Sequence, residues 1–202
     1  MTLLLNSLIL TFYFIVYGLV HSWLASLSFK QWLREQLGDD LMRGYRLSYN
    51  IFALISLLPF FILQATLTNP KLYTIPSPWR WLMVMGQLLA LIGATITLWQ
   101  TGAGHFLGIS QVIKAAVTEN TPLNISGFYR WVRHPLYFFG LLFIWLSPVM
   151  YLNQLIGYLL FSLYFYFGSI YEERKLVTEF GELYQNYQQE VPRLFPYLTK
   201  KS

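Results

Sequence analysis

The chain contains no cysteine, which excludes a small scaffold held by disulfides. Charge is scarce too: Asp, Glu, Lys and Arg make up 11% of its 202 residues, where a soluble domain carries about 25%. Disorder and a coiled coil both need more charge than this. Histidine occurs three times, at His21, His105 and His134, in three separate segments with no metal-ligand spacing. No glycine pattern forms a dinucleotide or phosphate loop, and no serine or cysteine nucleophile motif is present. The first 29 residues hold no basic side chain, whereas a cleaved signal peptide needs a basic n-region. There is no internal repeat.

What fills the chain is apolar: 55% hydrophobic residues, 19% aromatic, mean hydropathy +0.44. Four runs are free of charge, at 1–29, 47–70, 81–113 and 134–171. Each reaches the about 20 helical residues that span a bilayer. The first three predict one span each, over Leu3–Ala25, Leu47–Thr66 and Trp81–Trp99. The fourth, at 38 residues, would make a helix of about 57 Å. Ser147-Pro148 and Asn153-Gln154 supply a turn near its middle. It therefore divides into a hairpin of two short helices, Tyr137–Leu146 and Leu155–Tyr171. The expected fold is all-α: a polytopic membrane protein of about five spans with an amphipathic cytoplasmic C-terminal helix. Residues 1–202 then form one membrane domain, with three spans in 1–100 and the loop, hairpin and tail in 101–202.

Loop charges test this arrangement. Five spans place Phe29–Arg46, Thr101–Arg133 and the tail from Glu172 on one side. These segments hold 12 of the 14 basic residues and all nine acidic ones; Lys71 and Arg80 fall on the other. The expectation is an N-terminus outside and a C-terminus in the cytoplasm, in a bacterial inner membrane. The net charge of +5 then reflects attraction to lipid headgroups, and nucleic-acid binding has no support. The loop Thr68–Trp79, with three prolines, reads as a rigid turn.

Two segments could carry chemistry. The first runs Gly127-Phe128-Tyr129-Arg130-Trp131-Val132-Arg133-His134-Pro135-Leu136-Tyr137, with Pro135 suited to a first helical turn. Arg133, His134 and a helix N-terminus would cradle a carboxylate or phosphate. Equally, these residues suit a basic topology anchor and an aromatic interfacial belt. The second begins Tyr171-Glu172-Glu173-Arg174-Lys175. Its apolar residues Leu176, Phe180, Leu183, Tyr184 and Tyr187 have amphipathic spacing, in one helix with Gly181 inside it. Glu172 and Glu173 stand where a span leaves lipid, either on a solvated face or facing a polar ligand. Val191-Pro192-Arg193-Leu194-Phe195-Pro196 then closes the chain as a rigid apolar segment. His21 suits a packed helix position, and His105, after Gly102-Ala103-Gly104, stands where it could reach a ligand.

Together these segments resemble the integral-membrane methyltransferases of the isoprenylcysteine carboxyl methyltransferase and phospholipid methyltransferase superfamily. The match covers about 80 residues, from Thr118 to Pro196. In the first half, Val20-His21-Ser22-Trp23-Leu24-Ala25-Ser26 and Tyr45-Arg46-Leu47-Ser48-Tyr49-Asn50 resemble a bacterial branch of NnrU-type proteins and methanethiol S-methyltransferases. His105-Phe106-Leu107-Gly108 is a looser likeness. The resemblance implies S-adenosylmethionine as cofactor. Its contacts would fall on Thr121, Leu123, Asn124, Tyr129, His134, Pro135, Leu136, Tyr137 and Glu172; the residue reading adds Arg133 and Glu173. Thr121 stands for a histidine of the eukaryotic pattern and Asn124 for an aliphatic residue. Gly168 replaces the arginine of the prenylcysteine enzymes, which argues against a prenylcysteine carboxylate as substrate.

Methyl transfer from a sulfonium is an in-line displacement that rests on alignment and a drier site, without a covalent nucleophile. If a thiol acceptor needs a base, His105 and Glu172 are the candidates. The acceptor is expected to be a small hydrophobic thiol or a lipid-like molecule arriving from the bilayer, with no metal and no obligatory protein partner. The alternatives are a non-catalytic NnrU-like accessory protein and a nicotinamide-dependent sterol-type reductase.

Overall fold

The charge-free runs become helices. The computed structural model describes residues 2–113 and 123–196. In chain order the helices begin with α1 (Thr2–Ala25), α2 (Leu27–Met42), α3 (Tyr45–Thr66) and α4 (Trp79–Gln100). Two short helices follow, α5 (Ala103–Leu107) and α6 (Ile109–Ile113), and then α7 (Pro135–Trp145), α8 (Leu152–Phe180) and α9 (Glu182–Glu190). Strands are limited among the described residues to β1 (Lys71–Thr74) and β2 (Val149–Tyr151). The chain is an all-α membrane protein. Helices α1, α3 and α4 are each long and apolar enough to cross a membrane. Their ends agree with the sequence expectation to within two residues. Large apolar side chains stand outward along them, among them Leu4, Phe12, Leu19, Leu54, Leu89 and Trp99. In water such exposure would be a liability, but against hydrocarbon it costs nothing.

Two compact units are resolved. The first comprises Met1–Leu72, Gly102–Glu119 and Tyr151–Leu160. In it α1 lies on α3, with Leu10 and Phe14 buried and the Phe14 ring 5.1 Å from that of Phe60. The Tyr13 hydroxyl donates to the Ser56 carbonyl at 2.6 Å, satisfying a polar group within an apolar contact. Asn153, fully buried, accepts from the Gln64 side chain through its carbonyl and donates its N–H to Asn69.

The second unit comprises Tyr73–Thr101, Asn120–Met150 and Phe161–Ser202. Here α4 presents a stripe of small residues, Gly86, Ala90, Gly93 and Thr97, to α7. A Cβ at Gly93 would collide with the Phe139 ring, and one at Gly86 with Leu146. Small residues let two helices approach where lipid offers no hydrophobic drive to associate.

Two expectations are corrected. The loop Thr68–Trp79, read as a rigid turn, contains strand β1. The second arm of the hairpin does not end at Tyr171. Its helix continues to Phe180, because Glu172–Leu176 are strong helix formers and the start of charge imposes no break. Gly181 ends it instead, at φ +57° and ψ −131°, conformations open to glycine. The single amphipathic helix is therefore two. Leu176 and Phe180 belong to α8, while Tyr184 and Tyr187 belong to α9 and fold back onto them with Val191 and Leu123.

Candidate functional site

The loop before α7 is ordered by local bonds within the second unit. The Asn124 side chain donates to the Gln100 carbonyl at 2.8 Å, and its oxygen accepts from both the N–H and the hydroxyl of Ser126. Gly127 starts a 3-10 turn, Gly127–Arg130, at φ +59°. It lies so close to the Gln100 amide that a Cβ has no room. Tyr129 is fixed at both ends: its hydroxyl lies 2.8 Å from that of Thr101, and its carbonyl accepts from the Tyr187 hydroxyl. Burial raises the Tyr129 phenol above its ordinary range and keeps it neutral. His134 then caps α7, with Pro135 in the first turn as expected.

The closing segment straps this loop down. The N–H groups of Arg133 and His134 donate to the carbonyls of Pro192 and Arg193 at 2.9 and 3.1 Å. Val191 and Leu194 are buried beneath.

Glu173 lies at the centre of the strapped region, 3% exposed. Its Oε1 accepts from Arg133 Nε at 2.8 Å and His134 Nε2 at 3.2 Å. Its Oε2 accepts from Gln188 Nε2 at 3.0 Å and Arg193 Nη2 at 2.9 Å. Four donors fill the four lone-pair positions of a carboxylate. Burial alone would favour its protonated form, but His134, Arg133 and Arg193 outweigh this and hold the carboxyl far below the usual range. Arg133 also donates to the carbonyls of Gln188 and Val191. Arg133 and Glu173, both expected to face a ligand, are instead paired with each other inside the protein.

Glu172, next in the chain, is 49% exposed. It accepts from the Tyr137 hydroxyl at 3.1 Å, and its Oε2 lies 3.4 Å from His134 Nδ1. His134 thus has a carboxylate at each ring nitrogen. Carboxylates only accept, so these two neighbours favour the form of the ring with a proton on each nitrogen. Burial acts to lower the His134 pKa, but Glu172 and Glu173 reverse the effect and raise it. The His134, Tyr137 and Phe165 rings stack nearly parallel, with centroids 5.4 and 4.9 Å apart. Beside Glu172 this forms a flat aromatic wall topped by a half-exposed carboxylate.

Other expected residues lie elsewhere. Leu123 packs against the Tyr184 and Tyr187 cluster, and Leu136 is half-buried on α7. Thr121 falls outside the described residues. His105 belongs to the first unit, where Arg46 Nη1 lies 3.0 Å from its Nδ1. An arginine can only donate, so the His105 lone pair is occupied and its proton sits on Nε2. Burial, then Arg46, lowers its pKa further. His105 is therefore a neutral hydrogen-bond donor, unsuited to removing a thiol proton. Sequence reasoning missed the hub roles of Gln188 and Arg193. The run Val191–Pro196 pointed toward Arg193, which lies within it, and no signal pointed toward Gln188.

A family described as "Protein of unknown function (DUF1295)" matches residues 3–191. A methanethiol S-methyltransferase of Pseudomonas sp. (strain GM41(2012)) is 30% identical over 97% of this chain and 74% of its own length. Another, from Crocosphaera subtropica, is 32% identical over 93% of this chain and 73% of its own. A protein-S-isoprenylcysteine O-methyltransferase of Xenopus laevis is 30% identical over 79% of this chain and 54% of its own. No solved structure matches the chain.

Proposed function

We propose, of a chain that belongs to the DUF1295 family and to the isoprenylcysteine methyltransferase-like superfamily of membrane methyltransferases, that its methyl donor is S-adenosylmethionine. The acceptor on this reading is a small hydrophobic thiol, the class named for its bacterial relatives. The protein acts as a single membrane domain with its N-terminus outside and its C-terminus in the cytoplasm of a bacterial inner membrane.

The residues present suit that cofactor. Glu172 has acceptor capacity beyond Tyr137 and His134 and is half-exposed, which matches ribose hydroxyls or an ammonium group. The aromatic rings suit a flat base, which stacks on a ring face. When bound, the cofactor supplies an electrophilic methyl group on a positively charged sulfur.

The protein's own contribution is positional. Glu173, through Arg133 and His134, fixes the loop; His134 and Tyr137 aim Glu172. Asn124 and Tyr129 order the loop that leads into α7, which Pro135 and Leu136 begin. Glu172 would hold the donor's ribose hydroxyls or ammonium group, and where an acceptor thiol needs a base it is the carboxylate placed to take the proton. Rate is gained from alignment and water exclusion.

The observation carrying this reading is the half-exposed Glu172 held by Tyr137 and His134. Calorimetry in detergent tests it. Glu172→Ala and His134→Ala are each expected to weaken S-adenosylmethionine binding by more than about tenfold, the worth of a hydrogen bond to a charged group. Full affinity in both variants would sink the assignment. An acceptor screen over volatile thiols, phospholipid amines and quinol-like lipids then identifies the substrate.

A further inference from the structure

On the opposite side of α8 from Glu172 lies a cavity of about 470 Å³. Ile170, Glu173, Arg174, Val177 and Thr178 form its helical wall, with Gln188 and Arg193 closing it from the tail. Glu172 is two residues from both Ile170 and Arg174, a rotation of about 200° at 3.6 residues per turn. The cavity and the aromatic wall are therefore separate faces of one helix.

Its chemistry is lopsided. Among the described residues the one carboxylate lining it is Glu173, whose oxygens are filled by four donors. Arg174 is exposed, and its guanidinium rests 5.5 Å from the centroid of the Tyr171 ring. Arg193 gives Nη2 to Glu173, but its Nε is buried with no acceptor among the described residues. A buried donor left unpaired is costly, so this one marks a missing partner. Thr178 adds a hydroxyl to the wall.

Placement narrows the partner. The charge-free run ends at Tyr171, so on the expected fifth span the cavity sits at the membrane boundary, with Ile170 before that end and Arg174 and Thr178 one and two turns beyond Ile170. Tyr171, next in the chain to Ile170, and Phe195, two residues from Arg193, are exposed, as interfacial aromatics are. An apolar lower wall beneath two arginines suits an amphiphile whose head is an oxyanion.

We infer that this cavity binds the phosphate headgroup of an anionic phospholipid, gripped by Arg174 and Arg193, on the face of α8 away from the proposed methyl-transfer site. The inference is independent of methyl transfer and rests on the membrane placement of α8. A bound lipid completes the Arg193 donor set and ties the closing segment to the bilayer.

The experiment uses the full-length protein, delipidated in detergent, with thermal unfolding followed on adding phosphatidylglycerol, phosphatidylcholine or inorganic phosphate. Phosphatidylglycerol is expected to stabilise saturably, at a concentration about tenfold below that of phosphatidylcholine, because basic side chains near the surface attract anionic lipids. Arg174→Gln loses that preference. Thr178→Glu, which puts a negative charge into the cavity from an exposed helix position, also loses it and decides the matter where Arg174→Gln does not fold. An equal response to both lipids, or a wild-type response in either folded variant, overturns the site. Stabilisation by inorganic phosphate at the same concentrations overturns the lipid assignment and leaves a free oxyanion site. S-adenosylmethionine affinity, measured on the same samples, stays unchanged in both variants. Its loss together with the lipid response assigns the cavity to the cofactor and overturns the inference.

Discussion

Glu172 and Glu173 are chemically identical neighbours with opposite situations. One is half in water with spare acceptor capacity; the other is 3% exposed and saturated. Removing one partner from a buried ionic network leaves uncompensated charge and costs about 3–5 kcal/mol. Glu173→Gln should therefore lower the melting temperature sharply, whereas Glu172→Gln should barely move it. The pH dependence has a definite sign. Because the Glu173 carboxyl is held below its unfolded value of about 4.3, its stabilisation is complete above that pH and declines as the pH falls below it. Wild-type melting temperature should drop between about pH 5 and pH 3 more steeply than that of Glu173→Gln. Parallel curves would remove Glu173 from the role of hub.

Among the elements, α8 and α9 meet at a bend that depends on one glycine. Gly181 has open space around it but a backbone conformation that L-residues avoid, so Gly181→Ala adds strain without a clash. A cost of about 1–3 kcal/mol is expected. Limited proteolysis should then cut the α8–α9 junction faster; an unchanged rate would show that the bend is held by the Tyr184 and Tyr187 packing alone. Apolar runs and loop charges made α1, α3, α4 and the break before α8 legible in the sequence, because bilayer thickness fixes their length. The bend at Gly181 was not legible, since helical spacing continues unbroken across a single glycine. Nor was the different fate of the two glutamates. It depends on which face of α8 receives Arg193, twenty residues further on, and no periodicity encodes that contact. Within the candidate site, His134 at the start of α7 could be read from its proline, while Gln188 could not be read at all.

At the scale of the whole molecule, the missing cysteines become an asset. A single introduced thiol is unique, so orientation can be read directly. Thr74→Cys should react with a membrane-impermeant maleimide on intact cells, and Ser126→Cys only after permeabilisation; the reverse pattern overturns the proposed orientation. The strap between the loop and the closing segment also sets an order of events as the chain is made. Val191, whose carbonyl receives the Arg133 guanidinium, is translated 58 residues after it. At about 5–20 residues per second, the charged loop waits roughly 3–12 s for its strap. During that interval Arg133 has no closing segment to bury it and depends on water and lipid phosphates. The strap can therefore form only once Val191 has been made, and the loop takes up its bonded form no earlier than that.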